Sequence, residues 1–342
     1  MRRTWWATLP VAILAVAACS SSGDTVETSG TTAAPATTAV AAQATTTTGV
    51  TGDDVELAGG RLVVPAQNVG DVDLTRLPVG DDSISTTGPA QGMLYLCPEF
   101  PTDGGGAGVE GPWFNGDGTF DLTAKLAVEG DVTWPEAEFT QVVEGDSRVL
   151  TGTNLPVDQS TGTFPIAADD PVHQYDSNPN SIFVNEYSIE IPAAPTEAAS
   201  PGCVGGEVGF LLNGVVLNSP VDAEGRDAVA WEGQDPCQGH PNPLDGYHHH
   251  SISPCVPDEG TGQSEVVGFA LDGYPITGHR GADGEVLTNA DLDECHGTTS
   301  EITLDGEQVT TYHYAATWEF PYTVGCYHGT SAIQGPVFTP GG

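Results

Sequence analysis

Apolar positions along this chain come in short runs, and turn-forming residues close each run before a helical period can develop. The runs at 62–64, 93–96, 122–128, 182–191, 208–217, 266–271 and 309–314 are rich in β-branched and aromatic residues, which suit a pleated, half-buried surface. Between them stand Asn213-Gly214, Asp272-Gly273, Asp283-Gly284 and Asp305-Gly306, dipeptides that favour tight turns. Long helical periodicity is missing; only 226–231 and 292–297 offer a helical turn or two. The pattern predicts a mainly β fold, an antiparallel β-sandwich or irregular barrel with long loops and little helix.

The N-terminus departs from this pattern. Arg2 and Arg3 precede an apolar run from Trp5 to Ala17 that is too short to span a bilayer, and small residues then lead to Cys19. The segment Val16-Ala17-Ala18-Cys19 resembles the lipobox of bacterial lipoproteins. That resemblance implies cleavage before Cys19 and a diacylglyceryl group on its sulfur. The alternative is an ordinary signal peptide in which Cys19 is incidental. Residues 19–56 are rich in Thr and Ala and carry too few large apolar groups to offset ordering entropy, so a disordered tether is expected there. Residues 57–342 remain for a single β-rich domain, with a soft boundary in the Pro-rich stretch 192–203. No later segment approaches the roughly 20 apolar residues of a membrane helix. The reading is an extracytoplasmic protein, held to a bacterial membrane by lipid on Cys19.

Charge narrows the partners. Forty-seven acidic residues against eight basic ones give a formal charge of −39. Such a surface repels nucleic acid and anionic lipid and attracts cations. With Cys19 set aside, six cysteines remain, and an even number in an exported chain reads as three disulfides. The expected pairing is Cys237–Cys255, Cys295–Cys326 and Cys97–Cys203. The first would close a short loop around residues 247–250, stabilising by about 3 kcal/mol on the chain-entropy model.

The chemistry concentrates in two Tyr/His segments, Tyr247-His248-His249-His250 and Tyr312-His313-Tyr314. In an extended strand His248 and His250 share one face, about 6.6 Å apart along the strand, and can lean onto one metal ion. His249 points the other way, toward solvent or into packing. With the cysteines oxidised, imidazole and carboxylate are the ligands left, a set suited to copper or zinc. The expected ligands are His248, His250 and His313, the last arriving on a neighbouring strand if the two segments lie side by side. His240 or His328, each near a cysteine, is the fourth candidate. Asp245, Asp293 and Glu294 are candidate acceptors for the far imidazole nitrogens.

Other readings of the same residues stay open. Alternating Tyr and His can form a hydrogen-bonded polar layer inside a β fold, or support catalysis without metal. Cys237-Gln238-Gly239-His240 has the look of half a structural zinc site, but an oxidising compartment favours the disulfide. The acidic stretch 291–294 lacks the alternating-oxygen loop of an EF-hand. Gly-x-Ser-x-Gly, Gly-x-Gly-x-x-Gly and phosphate-loop motifs are missing. A zinc-hydroxide hydrolase would need an open coordination position and a base such as Glu294.

From 203 to 329 the segments Gly209-Phe210-Leu211-Leu212-Asn213-Gly214-Val215, Cys237-Gln238-Gly239-His240-Pro241 and Gly246-Tyr247-His248-His249-His250 are followed by a second series. It comprises Gly268-Phe269-Ala270-Leu271-Asp272-Gly273-Tyr274-Pro275-Ile276, Leu292-Asp293-Glu294-Cys295-His296-Gly297, Tyr312-His313-Tyr314 and the segment from Phe320 to Gly329. In these segments the chain resembles the YHYH domain family of exported bacterial proteins. The resemblance brings no settled activity. His249 stands where the family motif has its second tyrosine, and Ala315 where a second copy would carry a further histidine, so a site built from two intact motifs is not expected. The sequence thus points to a surface-anchored lipoprotein that binds a transition metal. The alternatives are a non-enzymatic glycan- or protein-binding module, or a metal-dependent hydrolase.

Overall fold

A computed structural model describes residues 60–98, 107–331, 333 and 335–338. The signal segment 1–18, Cys19 and the tether 19–56 lie outside the described residues.

The centre of the fold is an eight-stranded sheet. Its strands are β1 (Glu207–Leu211), β2 (Val216–Asn218), β3 (Gly239–Asn242), β4 (Gly246–His249), β5 (Val266–Ala270), β6 (Pro275–Thr277), β7 (Gly297–Leu304) and β8 (Glu307–Ala315). They lie in the order β3-β4-β2-β1-β5-β6-β8-β7. That order reads as one four-strand unit followed by its mirror, β1 to β4 corresponding to β5 to β8. At the junction β1 and β5 pair antiparallel, with Phe210 opposite Phe269. Within each unit the outer hairpin returns to pair parallel with the inner one, Val216 beside His248 and Ile276 beside Tyr314.

The two units agree at the level of individual hydrogen bonds. Asp235 Oδ1 accepts from the amides of Cys237 (3.0 Å) and Gly239 (3.2 Å), and Asp293 Oδ1 from those of Cys295 (2.9 Å) and Gly297 (3.0 Å). The Tyr247 hydroxyl donates to Asp235 (2.8 Å), and the Tyr312 hydroxyl to Asp293 (3.1 Å). Both glycines are required by that approach. A Cβ on Gly239 would lie 2.3 Å from the Tyr247 ring, and one on Gly297 2.2 Å from the Tyr312 hydroxyl, distances that real side chains do not tolerate.

This duplication corrects one expectation. The two Tyr/His segments resemble each other because they occupy equivalent places, and equivalence puts them in opposite halves of the sheet. Strands β2, β1, β5 and β6 stand between β4 and β8.

Elsewhere the sequence reading needs trimming. Among the described residues the fold is mainly β with no closed barrel, and its central sheet is antiparallel apart from the two parallel pairings. The runs at 62–64 and 122–128 form no strand, only an isolated bridge between Arg61 and Leu126. The run at 182–191 is a strand over Tyr187–Pro192 alone, in a three-stranded sheet with Phe139–Glu144 and Ser147–Gly152. Helix α1 is the single turn Ala228–Trp231, whereas 292–297 forms a turn after the 3-10 segment Asn289–Asp291.

The core gathers Phe210, Leu211, Leu217, Val267, Phe269, Ile276 and Tyr314 from the sheet with Leu94, Trp113, Phe120 and Leu150 from the preceding residues. Arg148 ties the small sheet to the large one. Its buried guanidinium lies over the Phe269 ring at 4.0 Å and donates to both carboxylate oxygens of Asp305 in the β7–β8 turn. The six cysteines pair as Cys97–Cys203, Cys237–Cys255 and Cys295–Cys326. In each unit a cystine pins the turn that leads into the outer hairpin. Three disulfides fit an oxidising, extracytoplasmic compartment.

Candidate metal centre

Strand alternation places His248 and His250 on one face and Tyr247 and His249 on the other. His240 lies directly across from His248 in the β3–β4 pair, so its side chain joins the same face. The three Nε2 atoms converge: His248 to His250 is 3.1 Å and His250 to His240 is 3.1 Å. All three residues are buried, and together they can hold a metal ion.

The outer nitrogens fix the chemistry of the inner ones. His250 Nδ1 lies 2.6 Å from the Ser219 carbonyl, and His248 Nδ1 lies 3.2 Å from the Gly246 carbonyl. A carbonyl only accepts, so each Nδ1 carries a proton, and either Nε2, where it is not itself protonated, presents a lone pair to the other. Two lone pairs at that distance repel unless a proton or a cation stands between them. His240 Nδ1 has no hydrogen-bond partner, so the protein does not fix its tautomer in the same way.

A fourth group borders the cluster. Asp227 caps α1, its carboxylate accepting from the Ala230 amide at 3.2 Å, and the helix stops after one turn at Glu232. Glu232 Oε2 lies 3.3 Å from Nε2 of both His240 and His250. It is buried without a hydrogen bond of its own, which is costly for a carboxylate oxygen unless a cation satisfies it. Burial raises the Glu232 pKa, opposed by His250. Burial works against a charged His250, but the Glu232 carboxylate, the Ser219 carbonyl and Asp222 together outweigh it and raise that pKa. His240 and His248 are held well below the ordinary value by burial and by their histidine neighbours. Beneath the cluster the buried Lys125 ammonium donates to the Glu232 carbonyl at 2.6 Å, its pKa lowered to about 8 by burial.

The distances suit a metal. Zinc bonds nitrogen at about 2.0–2.1 Å, so the edges of its coordination tetrahedron are about 3.3–3.4 Å. Four separations, His250 to His248 and to His240 and Glu232 to His240 and to His250, are 3.1–3.3 Å, close to that edge.

The other expected site residues are placed elsewhere. His313, in the second unit, has Nδ1 3.0 Å from Thr277 Oγ1 and Nε2 2.9 Å from Ser300 Oγ. His328 stacks on Tyr312 with ring centroids 3.7 Å apart. Asp245 accepts from the side-chain amides of Asn218 (2.6 Å) and Asn242 (2.8 Å) rather than from an imidazole. Asp293 serves the second unit's turn, and the Glu294 carbonyl lies 3.5 Å from Cys326 Sγ. His249 is fully buried: Nδ1 meets the Gln238 carbonyl at 3.0 Å and Nε2 the Asn213 amide at 3.3 Å. Burial lowers its pKa to about 4. The hydrogen-bonded polar layer and the histidine cluster therefore occupy opposite faces of the same strand.

Residues 188–286 match a family model described as YHYH protein. Over that span the chain is similar to the YHYH family. The matched span holds the whole histidine cluster and Glu232, and it ends before β7 and β8, so the second Tyr/His segment lies beyond it. No curated protein and no solved structure matches the chain. Glu232 had no signal of its own in the sequence, being one of forty-seven acidic residues. Only its place at the end of α1 distinguishes it.

Proposed function

We propose that the YHYH-like domain is a metal-binding module that holds one transition-metal ion through His240, His248 and His250 with Glu232 as the fourth ligand. The observation that carries this reading is the convergence of the Nε2 atoms of His240, His248 and His250 beside the unpartnered Glu232 Oε2. Three imidazoles beside a carboxylate are a nitrogen-and-oxygen donor set typical of zinc. All four groups are buried or nearly so, and four protein ligands fill a tetrahedron. That suits tight retention, as in a structural or storage site, more than turnover, which needs an open position. Glu294, the base a hydrolase reading would use, belongs to the other unit. Anchorage through Cys19 rests on the lipobox resemblance and completes the proposal: a metal-holding domain on a tether at the outer face of a membrane.

Elemental analysis tests the reading. Exported protein, purified without a metal-affinity tag and dialysed, should carry about one zinc per chain, and H248A/H250A should carry none. Wild-type protein that stays metal-free after loading with zinc and with copper would overturn it.

A further inference from the structure

The strand registers assign every ligand position of the first unit a counterpart in the second. Gly239 pairs with His249, and Gly297 pairs with Tyr314. His240 pairs with His248, and Thr298 with His313. Leu217 lies beside His249 in the parallel pair, and Ile276 beside Tyr314. His248 therefore corresponds to His313, His249 to Tyr314, His250 to Ala315 and His240 to Thr298.

The frame around these positions is retained. Each unit has the turn built on an aspartate, the tyrosine hydroxyl that closes it, and a cystine beside it. Each turn has a residue with left-handed backbone, Gln238 at φ 60° and His296 at φ 71°. Even the second motif position does the same job, since His249 reaches Asn213 and Tyr314 donates to Asp272 in the equivalent hairpin turns. On the ligand face only His313 remains, and hydroxyls of Thr277 and Ser300 occupy its two nitrogens.

We infer that the second unit is a latent metal site, a frame matching the first in which Thr298 and Ala315 are the substitutions that withhold binding. This inference rests on the proposed metal reading of the first unit. It says that the backbone frame, not the metal, sets the geometry, and that metal capacity is decided by the residues at two positions per unit. A restored site would have three imidazoles and no counterpart of Glu232. Residues 289–291 are a 3-10 turn where the first unit has α1 and its terminal carboxylate.

The test is the metal content of the full exported chain carrying T298H/A315H. Two zinc ions per chain, against one in the wild type, is the expected result. One zinc per chain in a variant that keeps its three disulfides and near-UV circular dichroism would overturn the inference while leaving the first site intact. Zero zinc in the wild type would instead sink the underlying metal reading. Ala315 is fully buried, so a reciprocal variant covers the case in which T298H/A315H does not fold. H240T/H250A places the second unit's residues in the first. It should fold with its disulfides and bind no zinc; an unfolded protein would overturn the claim that the frame stands without metal.

Discussion

Nε2 of His248 stands 3.1 Å from Nε2 of His250, although each ring directs its Nδ1 proton to a backbone carbonyl. Ser219 and Gly246 hold the rings so that their Nε2 atoms meet. Outer hydrogen bonds of this kind orient imidazoles for metal and raise their basicity.

The two faces of β4 should respond differently to mutation. H248A/H250A abolishes metal retention, whereas H249A retains the metal. H249A is destabilising all the same, because it removes a buried ring and leaves Asn213 and the Gln238 carbonyl short of a partner; a loss of about 2–3 kcal/mol is expected. Metal content and urea unfolding of the two proteins check this. Equal metal loss in both would contradict the assignment of faces.

Glu232→Gln keeps the shape of the fourth ligand and removes its charge. Zinc affinity, measured by competition with a chromophoric chelator, should fall by at least about tenfold, the scale of loss seen when even outer partners of metal sites are changed. Unchanged affinity would remove Glu232 from the ligand set.

Asp227 gives a pH dependence of known sign. Burial raises its pKa from 3.8 to about 6, against hydrogen bonds from the Gly80 amide and the Tyr322 hydroxyl. The folded state thus binds the proton more tightly than the unfolded state, so this group's contribution is full below about pH 3.8 and is lost as pH rises through about 6. Wild type should therefore gain on D227N as pH falls from 7 to 4.5, by on the order of 2 kcal/mol. Urea unfolding of both proteins at the two pH values measures it; a difference that shrinks toward acid pH would contradict the assignment.

The cystine beside the cluster should matter to it. Cys237–Cys255 joins residues 18 apart in sequence and fixes the turn that delivers His240. C237S/C255S should lose about 3 kcal/mol of stability and bind zinc more weakly, as unfolding curves and chelator competition will show. Zinc affinity equal to wild type would mean that the turn holds His240 without the bridge.

Part of this was readable in the residues. Period-two alternation is local and strict, so His248 and His250 share a face whatever the rest of the chain does. Sequence proximity likewise made Cys255 a natural partner for Cys237. The third histidine of the cluster was harder, because likeness between the two Tyr/His segments can mean pairing or duplication. The sheet order decides for duplication, sending His313 to the far half and leaving His240, the cross-strand neighbour, in its place. Glu232 was beyond local reasoning, since a carboxylate among dozens is marked only by the burial that tertiary structure gives it.

X-ray absorption at the zinc edge of the loaded protein tests the central claim most directly. The account predicts four light ligands at about 2.0–2.1 Å with the outer-shell scattering of imidazole. A sulfur ligand near about 2.3 Å, or an octahedral oxygen shell without imidazole scattering, would contradict it.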